Sequence, residues 1–242
     1  MQTEQELRVD LAAAFRLIYE MDMHESVANH LSAAVSTDGK QFLMNPRWMH
    51  FSNVTASNLQ LLDSEDDSIM QTDQAPDASA WTIHGNMHAS LPTARVILHL
   101  HSTYATVLST LKDPRILPID NNTARFFERI AYDKSFGGIA TSDAEGKRIV
   151  DSLAGKNALM MGNHGITVTG ATIAEAFEDL YYLEKACKTM VLAYSTGQPL
   201  NILSDELARQ TAESWDEFRG QSYAHFEQQK AMLDKKGSSY RE

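Results

Sequence analysis

The sequence predicts a layered α/β protein. Across its 242 residues, short apolar runs of strand length are mixed with segments of helical periodicity, and several connections have hairpin character. Three capping signatures, Thr3-x-x-Glu6, Ser142-x-x-Glu145 and Thr172-x-x-Glu175, each open a helical pattern. One stretch stands apart: in Val96-Ile97-Leu98-His99-Leu100-His101 two imidazoles interrupt an apolar strand.

Taken in order, Leu7, Leu11, Ala14, Phe15, Ile18 and Tyr19 give a first helix ending near Met21. Val27 to Val35 reads as a strand, although Asn29 and His30 are unusual in one. Ser36 to Gly39 turns the chain into a returning strand, Gln41 to Met44, which Pro46 ends. Thr55 to Leu59 reads as a short helix leading to a strand at Leu59 to Asp63. The acidic stretch from Ser64 to Asp77 is expected to be a solvated loop. Ala80 to Ser90 is helical, and Leu91-Pro92 breaks it and delivers the histidine strand. Further helices are expected over Tyr104 to Leu111, Ala124 to Ala131 and from Ser142 to Leu153, with a loop over 113–122. Ala158 to Met161 is a buried strand ending in Gly162-Asn163-His164-Gly165, and Ile166 to Thr169 continues extended. The longest helix runs from Thr172 to about Tyr194, closed by Gly197 and Pro199. Ser204 to about Leu233 reads as one polar, poorly amphipathic helical segment placed to lie across a neighbouring subunit, and Lys235 onward as a tail. The expectation is one domain over 1–242, with 204–242 as a helical C-terminal extension and tail.

The net charge of −11 argues against nucleic acid or an anionic membrane as the main partner. The single cysteine, Cys187, excludes an intramolecular disulfide framework and suits a reducing compartment. No signal-peptide pattern and no long apolar span is present, so a cytoplasmic location is expected.

Alternation along a strand sends His99 and His101 to the same side. Two imidazoles buried together need partners, and a transition metal satisfies both at once; two core histidines bonded to backbone are the competing reading. His164, bracketed by glycines at a strand end, supplies a third imidazole. Three protein ligands with one position open is the arrangement of a catalytic metal. His84 and His88, four apart on a helix, share a face, but Gly85 stands where the His-Glu-x-x-His template has its base. His24, His50 and His225 read as surface positions.

These motifs resemble the class II aldolase and adducin family. The matching residues are Ala28-Asn29-His30-Leu31-Ser32, Leu43-Met44-Asn45-Pro46, the sequence from His84 through Pro92 to His101, and Gly162-Asn163-His164-Gly165. Gly170-Ala171-Thr172, Glu175-Ala176 and Glu184 also match. The resemblance implies a single three-layer α/β/α domain around a mostly antiparallel central sheet. It also implies a homotetramer with sites near subunit interfaces, and a metal, zinc first and manganese or iron as alternatives, on His99, His101 and His164. It puts Asn29, His30, Arg47 and Ser79 among the substrate contacts. The family's sugar-phosphate aldolases carry a catalytic Glu in a Ser-Ser-Glu pattern; here the stretch is Ala78-Ser79-Ala80. Ala80 cannot shuttle a proton, and His84 is the candidate substitute acid/base. The adducin branch lacks the same Glu, and this chain is nearer to it than to the sugar-phosphate aldolases.

Three functions follow from these residues. The first is a metal-dependent lyase, aldolase-type or decarboxylase, in which a metal stabilises an enolate of a small oxygenated carbonyl or carboxylate compound. The second is a non-catalytic adducin-like interaction module. The third is an iron-dependent oxygenase on the same three histidines.

Overall fold

The computed structural model describes residues 2–242. Seven strands form one sheet in the order β3-β2-β1-β4-β7-β6-β5. They are β1 His30–Ala34, β2 Gln41–Met44, β3 Gln60–Asp63, β4 Val96–Leu100, β5 Ile130–Asp133, β6 Ala158–Met161 and β7 Gly165–Gly170. Every pairing is antiparallel except β5 with β6. The expected α/β layering around a mostly antiparallel sheet is therefore what the chain forms.

Alternation along the strands divides two faces. Leu31, Ala33, Leu43, Val96, Leu98, Leu100, Met160, Ile166 and Val168 join one large apolar core. Into that core pack α1 (Glu4–Glu20), opened by a full Thr3/Glu6 capping box, and α7 (Ile173–Ser195). The other face is divided. Phe42, Met44, Leu62 and Ala80 cluster at one side, and Ile83, Met87, Ile97, Leu159 and Met161 at the other. Between them runs a polar seam of His30, Ser32, His99 and Thr167, all buried.

The helical segment over 78–90 covers that seam. It consists of α2 (Ala78–Ala80), a π-turn (Trp81–Gly85) and α3 (Asn86–Ser90). It starts before Ala80 because Asp77 caps it, accepting from the Ser79 and Ala80 N–H groups. Beyond β4, α4 spans Thr103–Ser109 and α5 Asn121–Ala124, and α6 (Asp143–Ser152) follows its Ser142 cap.

Several expectations need correction. Residues 124–131 are not a helix: Asp120 caps one that begins at Asn121 and stops at Ala124, and Ile130–Asp133 is the sheet's edge strand β5. Strand β1 begins at His30, not Val27, because Asn29 accepts from the Glu25 N–H and holds the preceding loop. Thr55 to Leu59 forms a turn closed by Asn58 Oδ1 on the Thr55 N–H. The segment after Ser204 is two helices, α8 (Asp205–Glu217) and α9 (Gly220–Lys235), broken around Phe218. Phe226 and Leu233 of α9 enter the core of their own chain. The final residues are not a free tail, because Tyr240 is fully buried and the Ala56 N–H donates to its carbonyl. Among the described residues no helix is long and apolar enough to cross a membrane.

Candidate metal centre

Register builds the site. His30 pairs with His99 across β1–β4, and His99 pairs with Thr167 across β4–β7, so three polar side chains stand in one row. His101 follows one step beyond the end of β4. His164 closes the tight turn between β6 and β7, where Asn163 takes positive φ (56°). The flanking glycines serve close approach instead. A Cβ on Gly165 would collide with the Leu100 carbonyl oxygen and press on His101 Cδ2 at 3.0 Å, and one on Gly162 would meet the Asp133 carbonyl at 2.9 Å.

The ligating atoms of His99, His101 and His164 lie within 4.8 Å of one another. Their hydrogen bonds fix which nitrogen of two of these rings is free. His99 Nδ1 donates to Thr167 Oγ1 at 3.0 Å, and that hydroxyl passes its own hydrogen to Met161 Sδ at 3.4 Å. His101 Nδ1 donates to Glu25 Oε2 at 2.7 Å. The two Nε2 atoms, each left with a lone pair, face one another at 3.2 Å. Two lone pairs at that distance repel unless a cation lies between them. Donors to a single tetrahedral zinc ion, each at 2.0–2.1 Å, are about 3.3 Å apart. The donor set therefore fits a divalent transition metal, with Glu25 and Thr167 as the outer partners that orient such ligands. Burial pushes the His99 imidazole well below its usual value and that of His164, with a contribution from His101, to about 4. Both rings are thus neutral, the form a metal requires.

Behind this triad lies a second set of histidines. His30 stacks on His99 with centroids 4.9 Å apart and 21° between planes. His30 Nδ1 meets His84 Nε2 at 2.9 Å, His84 Nδ1 meets Ser32 Oγ at 2.6 Å, and Ser32 Oγ meets His88 Nε2 at 2.8 Å. Burial holds His30 and His84 well below their usual range and His88 at about 3. His84 is fully buried with both nitrogens bonded, so it has no free atom for a substrate. The expectation of His84 as acid/base at the reacting centre gives way to a place one residue behind it.

The other expected contacts divide. His30 is in the site. Asn29 is buried; its Oδ1 fixes the Glu25 loop and so the carboxylate on His101, while its Nδ2 is buried without a partner. Ser79 Oγ is committed to Asp77 at 2.6 Å. Arg47 stacks on Trp48 at 3.9 Å, both side chains are exposed, and neither takes part in the triad's hydrogen bonds. His24 and His50 are half-buried and 3.4 Å apart, and His225 bonds Glu178, so none of these three is a plain surface position. Glu184 is nearly buried and binds Ser102 Oγ and the Tyr104 and Ala105 N–H groups, pinning the start of α4 immediately after His101. Glu25, Ser32, His88 and Thr167 carry geometry that sequence reasoning gave no role. The signal for Thr167 is a polar residue at an inward strand position, and Ser32 adds to that its place in the family-matching stretch Ala28-Asn29-His30-Leu31-Ser32.

The fold is α/β, and His99, His101 and His164 form a group that could hold a metal ion. The model of the Class II Aldolase and Adducin N-terminal domain matches residues 9–191, and the chain belongs to that family. A protein described as aldolase class 2 from Caulobacter vibrioides is 35% identical over 208 residues, 86% of this chain and 80% of that one. The decarboxylase NovR of Streptomyces niveus is 26% identical over 196 residues, 81% of this chain and 71% of its own. The crystal structure of an aldolase II superfamily protein from Pseudomonas syringae has a TM-score of 0.88 at 29% identity, covering 100% of this chain and 97% of that one.

Proposed function

We propose that the protein is a metal-dependent carbon–carbon lyase acting on a small oxygenated carbonyl or carboxylate compound. The carrying observation is the pair of Nε2 lone pairs held face to face at 3.2 Å, with His164 beside them. His99, His101 and His164 hold the metal, zinc first, with manganese or iron(II) as alternatives. When bound, the metal supplies Lewis-acid stabilisation of negative charge on a substrate oxygen. Thr167 and Glu25 keep the two strand imidazoles in the ligating tautomer. His30 covers the inner wall, and Arg47 and Asn29 remain candidate substrate contacts.

Between the two lyase types, decarboxylation is favoured. Aldol cleavage needs a base to take the proton of a substrate hydroxyl, whereas loss of carbon dioxide leaves an enolate without that step. Ala80 stands where the aldolases' Glu is expected and packs among Phe42, Met44 and Leu62. His84, the substitute base, has no free nitrogen. The similarity to a decarboxylase points the same way. We further propose a cytoplasmic homotetramer whose sites lie near subunit boundaries. Phe136, an exposed apolar side chain with its ring centroid 6.4 Å from that of His164, supports this reading.

The test is metal content per chain by mass spectrometry for wild type and His99→Ala, followed by carbon dioxide release from a panel of 3-oxo acids. Stoichiometric zinc or manganese, lost in the variant, together with carbon dioxide release is expected. No metal after incubation with zinc, manganese and iron(II) would overturn the reading in favour of a non-catalytic adducin-like module. Iron with oxygen consumption would overturn it in favour of an oxygenase.

A further inference from the structure

We propose that His30 presents an Nε2–H beside the His99, His101 and His164 triad as the donor for an anionic substrate oxygen. Its tautomer is set from the far end of a buried hydrogen-bonded chain. The proposal rests on the metal-centre reading above.

The chain runs His30 Nδ1–His84 Nε2 (2.9 Å), His84 Nδ1–Ser32 Oγ (2.6 Å) and Ser32 Oγ–His88 Nε2 (2.8 Å). A neutral imidazole has one N–H and one lone pair, and a serine hydroxyl has one hydrogen to give. Ser32 Oγ could accept from both imidazoles only by stranding its own buried hydroxyl hydrogen, because it meets no third partner; otherwise the hydrogens all point one way along the chain. If they point away from His30, its Nδ1 donates, each link follows suit, and His88 keeps its hydrogen on Nδ1. That atom is buried and meets no partner. The His88 ring is stacked on Phe42 with centroids 4.3 Å apart. Buried N–H groups without an acceptor are among the rarest defects in folded proteins. If the hydrogens point toward His30, His88 Nε2–H donates to Ser32, the Ser32 hydroxyl to His84 Nδ1, and His84 Nε2–H to His30 Nδ1. His88 Nδ1 then keeps only a lone pair, and His30 carries its hydrogen on Nε2. The second direction leaves no orphaned N–H.

His30 Nε2 makes no hydrogen bond within the chain and, unlike His88 Nδ1, is not sealed from solvent. Its ring lies against His99, beside the triad yet outside the group of atoms that can converge on one ion. That exclusion is one of distance; with a hydrogen on Nε2, His30 has in addition no lone pair to offer a metal. What it offers is a neutral donor, fixed by a buried network, to the carboxylate or enolate oxygen of a small acid. A fixed donor at a developing negative charge stabilises it without moving a proton.

The first experiment uses metal-free, 15N-histidine-labelled protein above pH 7.5, with long-range proton–nitrogen spectra assigned by His30→Gln, His84→Gln and His88→Gln. A pyrrole-type Nε2 and pyridine-type Nδ1 at His30 are expected; the reverse pattern overturns the proposal. Ser32→Ala keeps every imidazole and cuts the chain at its hub. The His30 pattern is expected to move away from a single Nε2–H form, and an unchanged pattern overturns the chain as its cause. In metal-loaded protein, glycolate is expected to bind His30→Phe about tenfold or more weakly than wild type; equal affinity overturns the donor role. Wild-type metal content tests the metal-centre reading by itself, and the tautomer measurement on metal-free protein stands or falls without it.

Discussion

The imidazoles of His99 and His101 differ from ordinary buried histidines in having their hydrogens already committed, one to Thr167 and one to Glu25. Removing the Thr167 hydroxyl while keeping its shape tests whether that commitment matters. Thr167→Val leaves His99 Nδ1–H without an acceptor and frees the ring to take its other tautomer. Metal affinity, read by competition with a chromophoric chelator, is expected to fall about ten- to a hundredfold, with the fold retained. An unchanged affinity would mean that ring packing alone orients His99. At this scale the sequence was informative about donors and silent about their partners. His-x-His on a strand brings two candidate ligands to one side by alternation alone. Glu25, Thr167 and the Ser32 hub enter through contacts between residues far apart in the chain, and no local spacing encodes those. His84 illustrates the same limit, since helical spacing puts it on the correct face but cannot say that both its nitrogens are already used.

Whole elements were legible where local chemistry specifies them. The Thr3/Glu6 capping box and the Ser142 and Thr172 caps each open a helix as their spacing predicts. Legibility failed at β5, whose four residues pair with β6 at the sheet's edge and whose preceding helix is a single turn. It also failed at the C-terminal residues, whose burial depends on a core built by α1 and α7. Two substitutions test elements directly. Ala80→Glu would put a carboxylate against Phe42, Met44 and Leu62. It is expected to lower stability by about 2 kcal/mol or more in urea unfolding, and to create no aldolase activity. A stable Ala80→Glu enzyme with aldol cleavage would show that this turn of the helix faces the substrate. Gly165→Ala would drive a methyl group into the Leu100 carbonyl and the His101 ring. Displacing β7 from β4 by that contact is expected to cost at least about 1–3 kcal/mol and to lower metal content as well. Full metal occupancy in Gly165→Ala would show that the close approach serves packing only.

The molecule as a whole places its polar chemistry on one face of the sheet and its largest core on the other, so the site is paid for by apolar packing elsewhere. That arrangement makes overall stability depend on buried imidazoles remaining uncharged. His88 is the cleanest example, because it bonds Ser32 and stacks on Phe42 and has no such contact with His99, His101 or His164. Its folded value is about 3 against 6.5 in the unfolded chain, and burial is the main cause. Below pH 6.5 the unfolded chain therefore binds a proton at this position that the folded chain refuses. Stability from this group is complete above pH 6.5 and declines as pH falls toward 3. Each pH unit in that window removes up to about 1.4 kcal/mol, or about 2 kcal/mol by pH 5. Urea unfolding of metal-free protein between pH 7.5 and 5 is expected to show this loss. In His88→Phe, which keeps a ring against Phe42 and removes the titrating group, the slope of stability against pH should shrink by nearly one proton. An identical slope in the variant would mean that the buried seam admits a proton at little cost. The picture of a neutral, fixed hydrogen-bond polarity behind the metal centre would then fail with it.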